Sequence, residues 1–342
     1  MTPPGFPTRW GSTLVFRMAF FILSIMEGDD QFLGLDVGGT KCAAVIGTTD
    51  GTILSRTEWL ARAERGPQPM VRELIHQAQG QCGRFSNVRC VGVSIGGPMD
   101  AEAGVINSPP HLPGWDAFPL KQRLVQALGL PVFVEHDAAA CALAEYRWGA
   151  ARNCGRLVYL TCGTGFGMGF VVNGQPYHGA RGHNCEIGHV RYRQDGPEAF
   201  AKKGSVEAFC SGSGMSLLAA WKFPSRWAEP PNGKELGVLA AAGDIEAREI
   251  LALNARAIGD VCALLADILC PEMILLGSLA RYRGADWLGL VRKQFAREVH
   301  PQVRRACAVR PAGLGERLQD CSALVVAVEA WRRGCETARD RS

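Results

Sequence analysis

The feature that most constrains this chain is a pattern that occurs twice. From Gln31 to Leu54 it reads QFLGLDVGGTKCAAVIGTTDGTIL. An apolar stretch, Phe32 to Val37, runs into Gly38, Gly39, Thr40 and Lys41. A second apolar stretch, Cys42 to Ile46, follows at once, and Asp50-Gly51 turns the chain into a third, Thr52 to Trp59. The same order returns in LVYLTCGTGFGMGFVVNGQPY, Leu157 to Tyr177. There Leu157 to Cys162 leads into Gly163, Thr164 and Gly165, Met168 to Val172 follows, and Asn173-Gly174 closes the unit. Short apolar runs separated by such residues predict strand, turn, strand, hairpin.

A glycine turn leaves backbone N–H groups uncovered, and such concavities suit phosphate. One turn alone fits an ordinary hairpin equally well, because short Gly-rich patterns are weak signals. Two copies predict two similar α/β halves facing each other across a cleft, each supplying one phosphate-accepting turn. Lys41 adds positive charge, and Asp36 is placed to face a magnesium ion. No G-x-x-x-x-G-K-[ST] loop occurs, and the chain leaves the first glycines in a strand, which excludes a dinucleotide fingerprint.

Other stretches fill in the frame. Cys90 to Ile95 reads as a buried strand ending in Gly96-Gly97-Pro98, and Pro131 to Val134 as a strand ending on Glu135-His136-Asp137. An Ala-rich helix, Ala138 to Trp148, follows. Asp137 therefore stands at a strand-to-helix junction, where Asp serves either as a helix N-cap or as a carboxylate held at the cleft. Apolar spacing predicts helices over Pro69–Gly80, Leu120–Leu128, Tyr282–Val299 and Leu318–Trp331, and a helix or pair over Ile245–Leu269 with Asp260 and Asp267 as solvent breaks. Asn107 to Trp115 is a Pro-rich loop pinned by Trp115, and Phe223 to Gly237 reads as a loop or lid-like insertion. In Glu186-Ile187-Gly188-His189 a carboxylate and an imidazole can point into one site.

The segments DVGGTK, GVSIGGP, SPPHLPGW, HDAAACALAE, GTGFGMGFVVNG, EIGH and LGERLQD, in this order, resemble the ROK family of bacterial sugar kinases and related repressors. The resemblance spans Phe32 to about Trp331. It implies the actin-like ATPase fold: an α/β chain of two similar ribonuclease-H-like domains around a central cleft. The small domain would be 27–136, joined by the C-terminal helix 318–335, and the larger 137–317. It implies ATP with Mg²⁺ near Asp36, and donor contacts at Gly38, Gly39, Thr40, Lys41, Gly163, Thr164, Gly165 and Gly277. It places Gly97, His111, His136, Glu186, His189 and Glu207 at a hexose, with Asp137 as the base that takes the proton of the primary hydroxyl. The implied activity is glucokinase-type. The alternatives are an N-acetylhexosamine (GlcNAc or ManNAc) kinase and a catalytically weak sugar-sensing protein. A homodimer is also implied.

The chain departs from the family pattern in two ways. His111 and His136 stand where Asn is usual. The family's zinc ligands, one His and three Cys in C-x-C-G-x-x-G-C, reduce here to His189, since Ala199 to Ser205 contains no cysteine. Ala and Ser cannot replace thiolate in a tetrahedral zinc site, so no structural zinc is expected. The loop must then be held by packing of Phe200 and Val206 with Gly204 turning the chain, while Lys202 and Lys203 face water.

With 342 residues, 47% hydrophobic, the chain can build two domains with a real core. A net charge of +4 without a long basic run gives no reason to expect nucleic acid. Thirteen cysteines, an odd number with no C-x-x-C pair, lie in apolar contexts such as Cys42, Cys141 and Cys270. Reduced thiols in the cytoplasm fit best. Leu14 to Ile25 is apolar but too short to span a bilayer, so no membrane partner is expected. It reads as an extension upstream of a start at Met26.

Overall fold

The structure, a computed structural model, describes residues 30–339. The expectations for Leu14–Ile25 and Met26 lie outside the described residues. The run FLGLDV is apolar on both faces, which demands cover on both sides. It forms β1 (Gln31–Val37) at the centre of a five-stranded sheet. The sheet order is β3-β2-β1-β4-β5, with β2 Lys41–Thr48, β3 Ile53–Leu60, β4 Val88–Ile95 and β5 Val132–His136. β1 pairs antiparallel with β2 and parallel with β4, and β4 pairs parallel with β5. β3 alternates half-buried and exposed residues, as an edge strand with one covered face should.

Helices α1 (Pro67–Cys82) and α2 (Leu120–Leu128) cover one face, packing Met70, Leu74 and Leu124 into a cluster with Leu33, Leu35 and Val93. The terminal helix α11 (Leu318–Arg339) covers the other, where Leu324, Ala327 and Val328 meet Phe32, Val45 and Cys90. Each fully buried Leu or Phe contributes on the order of 1.5–3 kcal/mol. Gly34 and Gly92 let the helix come this close. A Cβ on either would lie 2.7 or 2.4 Å from the backbone nitrogens of Leu324 and Ala327.

The second sheet repeats the arrangement. Its order is β8-β7-β6-β9-β10, with β6 Arg156–Leu160, β7 Met168–Val172, β8 Gln175–Pro176, β9 Met273–Leu276 and β10 Ala308–Pro311. β6 pairs antiparallel with β7, across the glycine turn, and parallel with β9. The predicted pair of similar α/β halves is what forms. One face packs on α7 (Ile245–Leu269) and α9 (Gly284–Glu298), with Val158, Leu160 and Ile274 against Ile258, Cys262 and Val291. The other packs on α3 (Asp137–Trp148), whose Cys141 and Leu143 share a cluster with Leu157, Tyr159, Cys321 and Val325. α3 and α11 thus lie between the two sheets and join them. The remaining helices are α4 Val206–Cys210, α5 Gly212–Lys222, α6 Gly233–Ala241, α8 Ser278–Tyr282 and α10 Pro301–Ala306.

Three expectations need correction. Ile245–Leu269 is one helix, and of its two aspartates Asp267 is exposed as expected while Asp260 is half-buried. Asp260 accepts from the Tyr192 hydroxyl and from Gln294 at 2.6 Å, and Asp267 accepts from the His300 amide at 3.1 Å. The loop from Phe223 stops at Asn232, which forms a reciprocal capping box with Glu235 and starts α6. Cys270 is exposed, because it ends α7 in a left-handed conformation. All thirteen cysteines are free. Among the described residues no helix is long and apolar enough to cross a membrane.

Candidate active site

Each glycine turn follows the central strand of its sheet. In the first, the Gly38 amide donates to the Lys41 carbonyl at 3.1 Å. In the second, the Gly163 amide donates to the Gly165 carbonyl at 3.0 Å. The carbonyls of the second turn are taken by the start of α5: Gly163 accepts from Gly212 at 2.7 Å and Thr164 from Ser213 at 3.3 Å. The amides of Gly39, Thr40, Thr164 and Gly165 meet no acceptor among the described residues. Two pairs of free donors, one per lobe, remain for a ligand.

A cleft of about 390 Å³ lies between the lobes. Twelve of the residues singled out from the sequence line it: Asp36, Gly38, Gly97, His111, His136, Asp137, Gly163, Thr164, Gly165, Glu186, His189 and Glu207. Lys41 and Gly277 line a neighbouring cavity of about 440 Å³ instead. Gly39 lies under the Pro-rich loop, since a Cβ there would stand 2.7 Å from the His111 carbonyl oxygen. The Thr40 carbonyl accepts from the Ala61 amide at 2.9 Å. The Lys41 charge is not free: its Nζ lies 2.6 Å from Glu58. Lys41 first, and Arg56 beside it, hold the Glu58 carboxyl down to about 2.

Asp137 is the first residue of α3, with His136 in the N-cap position, so it is not itself the cap. Its Oδ1 accepts from the Ala138 amide at 2.6 Å, and its side chain stays 47% exposed toward the cleft. The buried His136 ring has its Nδ1 3.5 Å from the same oxygen. Asp36 is half-buried at the cleft, and its carboxyl is pushed up to about 8, first by loss of water and then by the charge of Asp137. A half-buried carboxylate beside a second one is an environment that suits a divalent ion, with Asp36 as the residue that would hold it.

On the opposite wall, Glu186 precedes and His189 ends a 3₁₀ turn, Ile187–His189, and both are exposed. Glu207 is buried at the start of α4, and its Oε2 accepts from the Phe166 amide at 2.7 Å. Burial raises the Glu207 pKa, and the Phe166 amide opposes that rise. Glu207 therefore braces the segment after the second turn as well as lining the cleft.

The segment that would carry zinc is a small hairpin, Glu198–Ala199 paired with Lys202–Lys203. Val206 is buried and Gly204 turns the chain at φ +64°, as expected. Phe200 is not buried packing: it is 43% exposed and stacks on the His189 ring at 5.3 Å. Lys202 does not simply face water, since its Nζ donates to the His189 carbonyl at 2.6 Å. Among the described residues no group of three or more His, Cys, Asp or Glu is arranged to hold a metal ion.

Sequence reasoning missed a cavity of about 1220 Å³, which opens beside Gly163 and Thr164 and is lined also by Asn232, Lys234, Leu279 and Arg283. The Arg283 guanidinium is half-buried. It donates to the Gly233 carbonyl, and its Nε has no partner among the described residues. Burial lowers its pKa. The capping signature Asn232…Glu235 was the available signal that a helix, not a lid, forms this wall.

Known proteins place this geometry. The ROK family model matches residues 32–324. A glucokinase from Halalkalibacterium halodurans is 28% identical over 84% of this chain and 92% of its own length. An N-acetylmannosamine kinase from Escherichia coli is 30% identical over 78% of this chain and 88% of its own. The solved structure of a ROK family glucokinase from Streptomyces griseus, in complex with glucose and AMPPNP, is 28% identical. It superposes with a TM-score of 0.74 over 87% of this chain and 99% of that one. The two-lobed α/β fold, the ordered motifs and the family match agree: this chain belongs to the ROK family.

Proposed function

We propose that the protein transfers the terminal phosphoryl group of ATP to the primary hydroxyl of a hexose, as a glucokinase-type enzyme. The observation that carries this reading is the position of Asp137, whose exposed carboxylate shares one cleft with both glycine turns and with Glu186, His189 and Glu207. The relatives named glucokinase support the hexose, and the AMPPNP complex of one of them supports the nucleotide.

Phosphoryl transfer leaves the protein mostly positioning and charge stabilisation. The free amides of the two turns bind phosphate oxygens from opposite sides. The large cavity beside the second turn takes the nucleoside. Glu186, His189 and Glu207 orient the sugar by hydrogen bonds to its hydroxyls. Asp137 accepts the proton of the primary hydroxyl as its oxygen bonds to phosphorus and the bond from phosphorus to the departing ADP oxygen breaks. Asp36 would hold a magnesium ion, which would supply charge neutralisation for the phosphate oxygens. Closing the cleft excludes water, which would otherwise compete as acceptor.

An N-acetylhexosamine kinase is the second reading, favoured by the 30% identity to the Escherichia coli N-acetylmannosamine kinase. Incubation with ATP and Mg²⁺ over glucose, mannose, allose, fructose, N-acetylglucosamine and N-acetylmannosamine separates the two, with products followed by ³¹P NMR. A 6-phosphate ester of glucose formed fastest supports the first reading. Preference for an N-acetyl sugar supports the second, and no phosphoester with any sugar sinks both.

A further inference from the structure

Two hairpins in the second lobe have two-residue loops with the same backbone requirement. Residues 173–174 join Val172 to its partner Gln175, and residues 200–201 join Ala199 to Lys202. In each loop both residues have positive φ: 49° and 77° in the first, 52° and 56° in the second. Such loops call for Asn-Gly, which tolerate the left-handed region. The first loop has Asn173-Gly174. The second has Phe200-Ala201, and both side chains there are strained.

The strained tip is also fastened down. Lys202 Nζ donates to the His189 carbonyl at 2.6 Å, and Arg191 Nη1 donates to the Lys203 carbonyl at 2.7 Å. The result is a phenyl ring laid nearly parallel to the His189 imidazole, 18° between planes, with its outer part left exposed. The ring lines the same cleft as Asp137, Glu186 and Glu207. A hairpin needing only stability has no use for an exposed aromatic at a position that disfavours it.

We infer that Phe200 is a substrate-contacting wall of the acceptor site. Its ring takes the apolar C–H face of a pyranose, while Glu186 and His189 take hydroxyls, and its stack on His189 fixes the orientation of that imidazole. Aromatic faces suit this role because they bury carbon-bound hydrogens without needing a hydrogen-bond partner. Phe200 is thus a residue that sets sugar affinity and not turnover. The inference rests on the hexose-kinase reading above.

The test is calorimetric titration of D-glucose into wild type, Phe200→Ala, Phe200→Tyr and Ala201→Gly, with steady-state kinetics on the same proteins. Phe200→Ala is expected to weaken glucose binding and raise KM for glucose by about tenfold, the loss of one aromatic contact. KM for ATP should not change, and kcat should stay within about threefold, a bound set by the assignment of proton transfer to Asp137. Phe200→Tyr keeps the ring and should restore affinity. Ala201→Gly relieves strain without touching the ring and should bind as wild type, which separates hairpin folding from ring contact. Glucose affinity in Phe200→Ala equal to wild type would overturn the inference and leave the kinase reading intact. Wild type that binds no glucose would sink the hexose reading and the inference with it.

Discussion

The two glycine turns are the same local device with different support. The first hangs between β1 and β2, closed by one backbone bond, with its cation spent on Glu58 and its Gly39 pressed against the His111 carbonyl. The second is bonded to the start of α5 through two of its carbonyls, and Glu207 braces the segment after it. It also opens onto the large cavity. The difference indicates a division of labour. On the function proposed above, the second lobe would hold the donor on a fixed platform and the first would bring its two free amides and Asp36 against it.

The largest expected effect lies between the turns. Asp137→Asn should fold normally and lower kcat by about a hundredfold to ten-thousandfold, the range for loss of a general base. A variant within threefold of wild type at saturating sugar removes Asp137 from the reaction.

Alanine scanning of the glycines then separates the two supports. A Cβ at Gly165 meets only the Glu207 carboxylate, at 3.5 Å, an ordinary contact. Gly165→Ala should therefore keep its Tm, and its methyl, standing in the cleft beside the Gly165 and Thr164 amides, should raise KM for ATP by about tenfold by holding a phosphate oxygen off those donors. Gly39→Ala meets backbone at 2.7 Å and should instead lower stability by about 1–3 kcal/mol, read from urea unfolding, with sugar binding weakened because the His111 loop shifts. If both variants behave alike, the two turns do not differ as described.

Lys41→Ala should matter little, less than about fivefold in KM for ATP, because its ammonium is exposed to solvent and already paired with Glu58. Glu58→Gln frees the lysine and should lower KM for ATP. A large loss in Lys41→Ala would show that the pair opens when ATP binds.

The smallest effect concerns a link across the lobes. His178 Nε2 lies 3.0 Å from the Glu135 carboxylate at the end of β5. That bond raises the His178 pKa, partly offset by burial and by Arg333. A raised pKa in the folded state gives stability that is full below the ordinary value of 6.5 and is lost as pH rises through the folded one. The stability gap between wild type and His178→Gln should be widest below pH 6.5 and close above it. A gap independent of pH contradicts the charged pair.

Much of this was legible in the chain. The doubled strand–turn–strand pattern specified two halves, and the strand-to-helix junction at Asp137 left it either a helix cap or a cleft carboxylate, of which the structure shows the side chain lining the cleft. What escaped depends on side chains meeting at long range. Glu58 is seventeen residues from Lys41, and nothing local announces that they pair. Arg283, between α8 and α9, and Asn232, the cap of α6, are far apart in sequence and come together in the lining of the large cavity. Phe200 looked like packing because an aromatic in a loop usually is, and only its backbone angle and exposure show otherwise.

The central claim is that both turns hold one donor. Amide hydrogen exchange at Gly39, Thr40, Thr164 and Gly165, measured with and without AMPPNP and Mg²⁺ in the presence of glucose, tests it directly. All four amides should exchange fast in the free protein and become protected together when the nucleotide binds. Protection of one turn while the other stays fast would contradict the account.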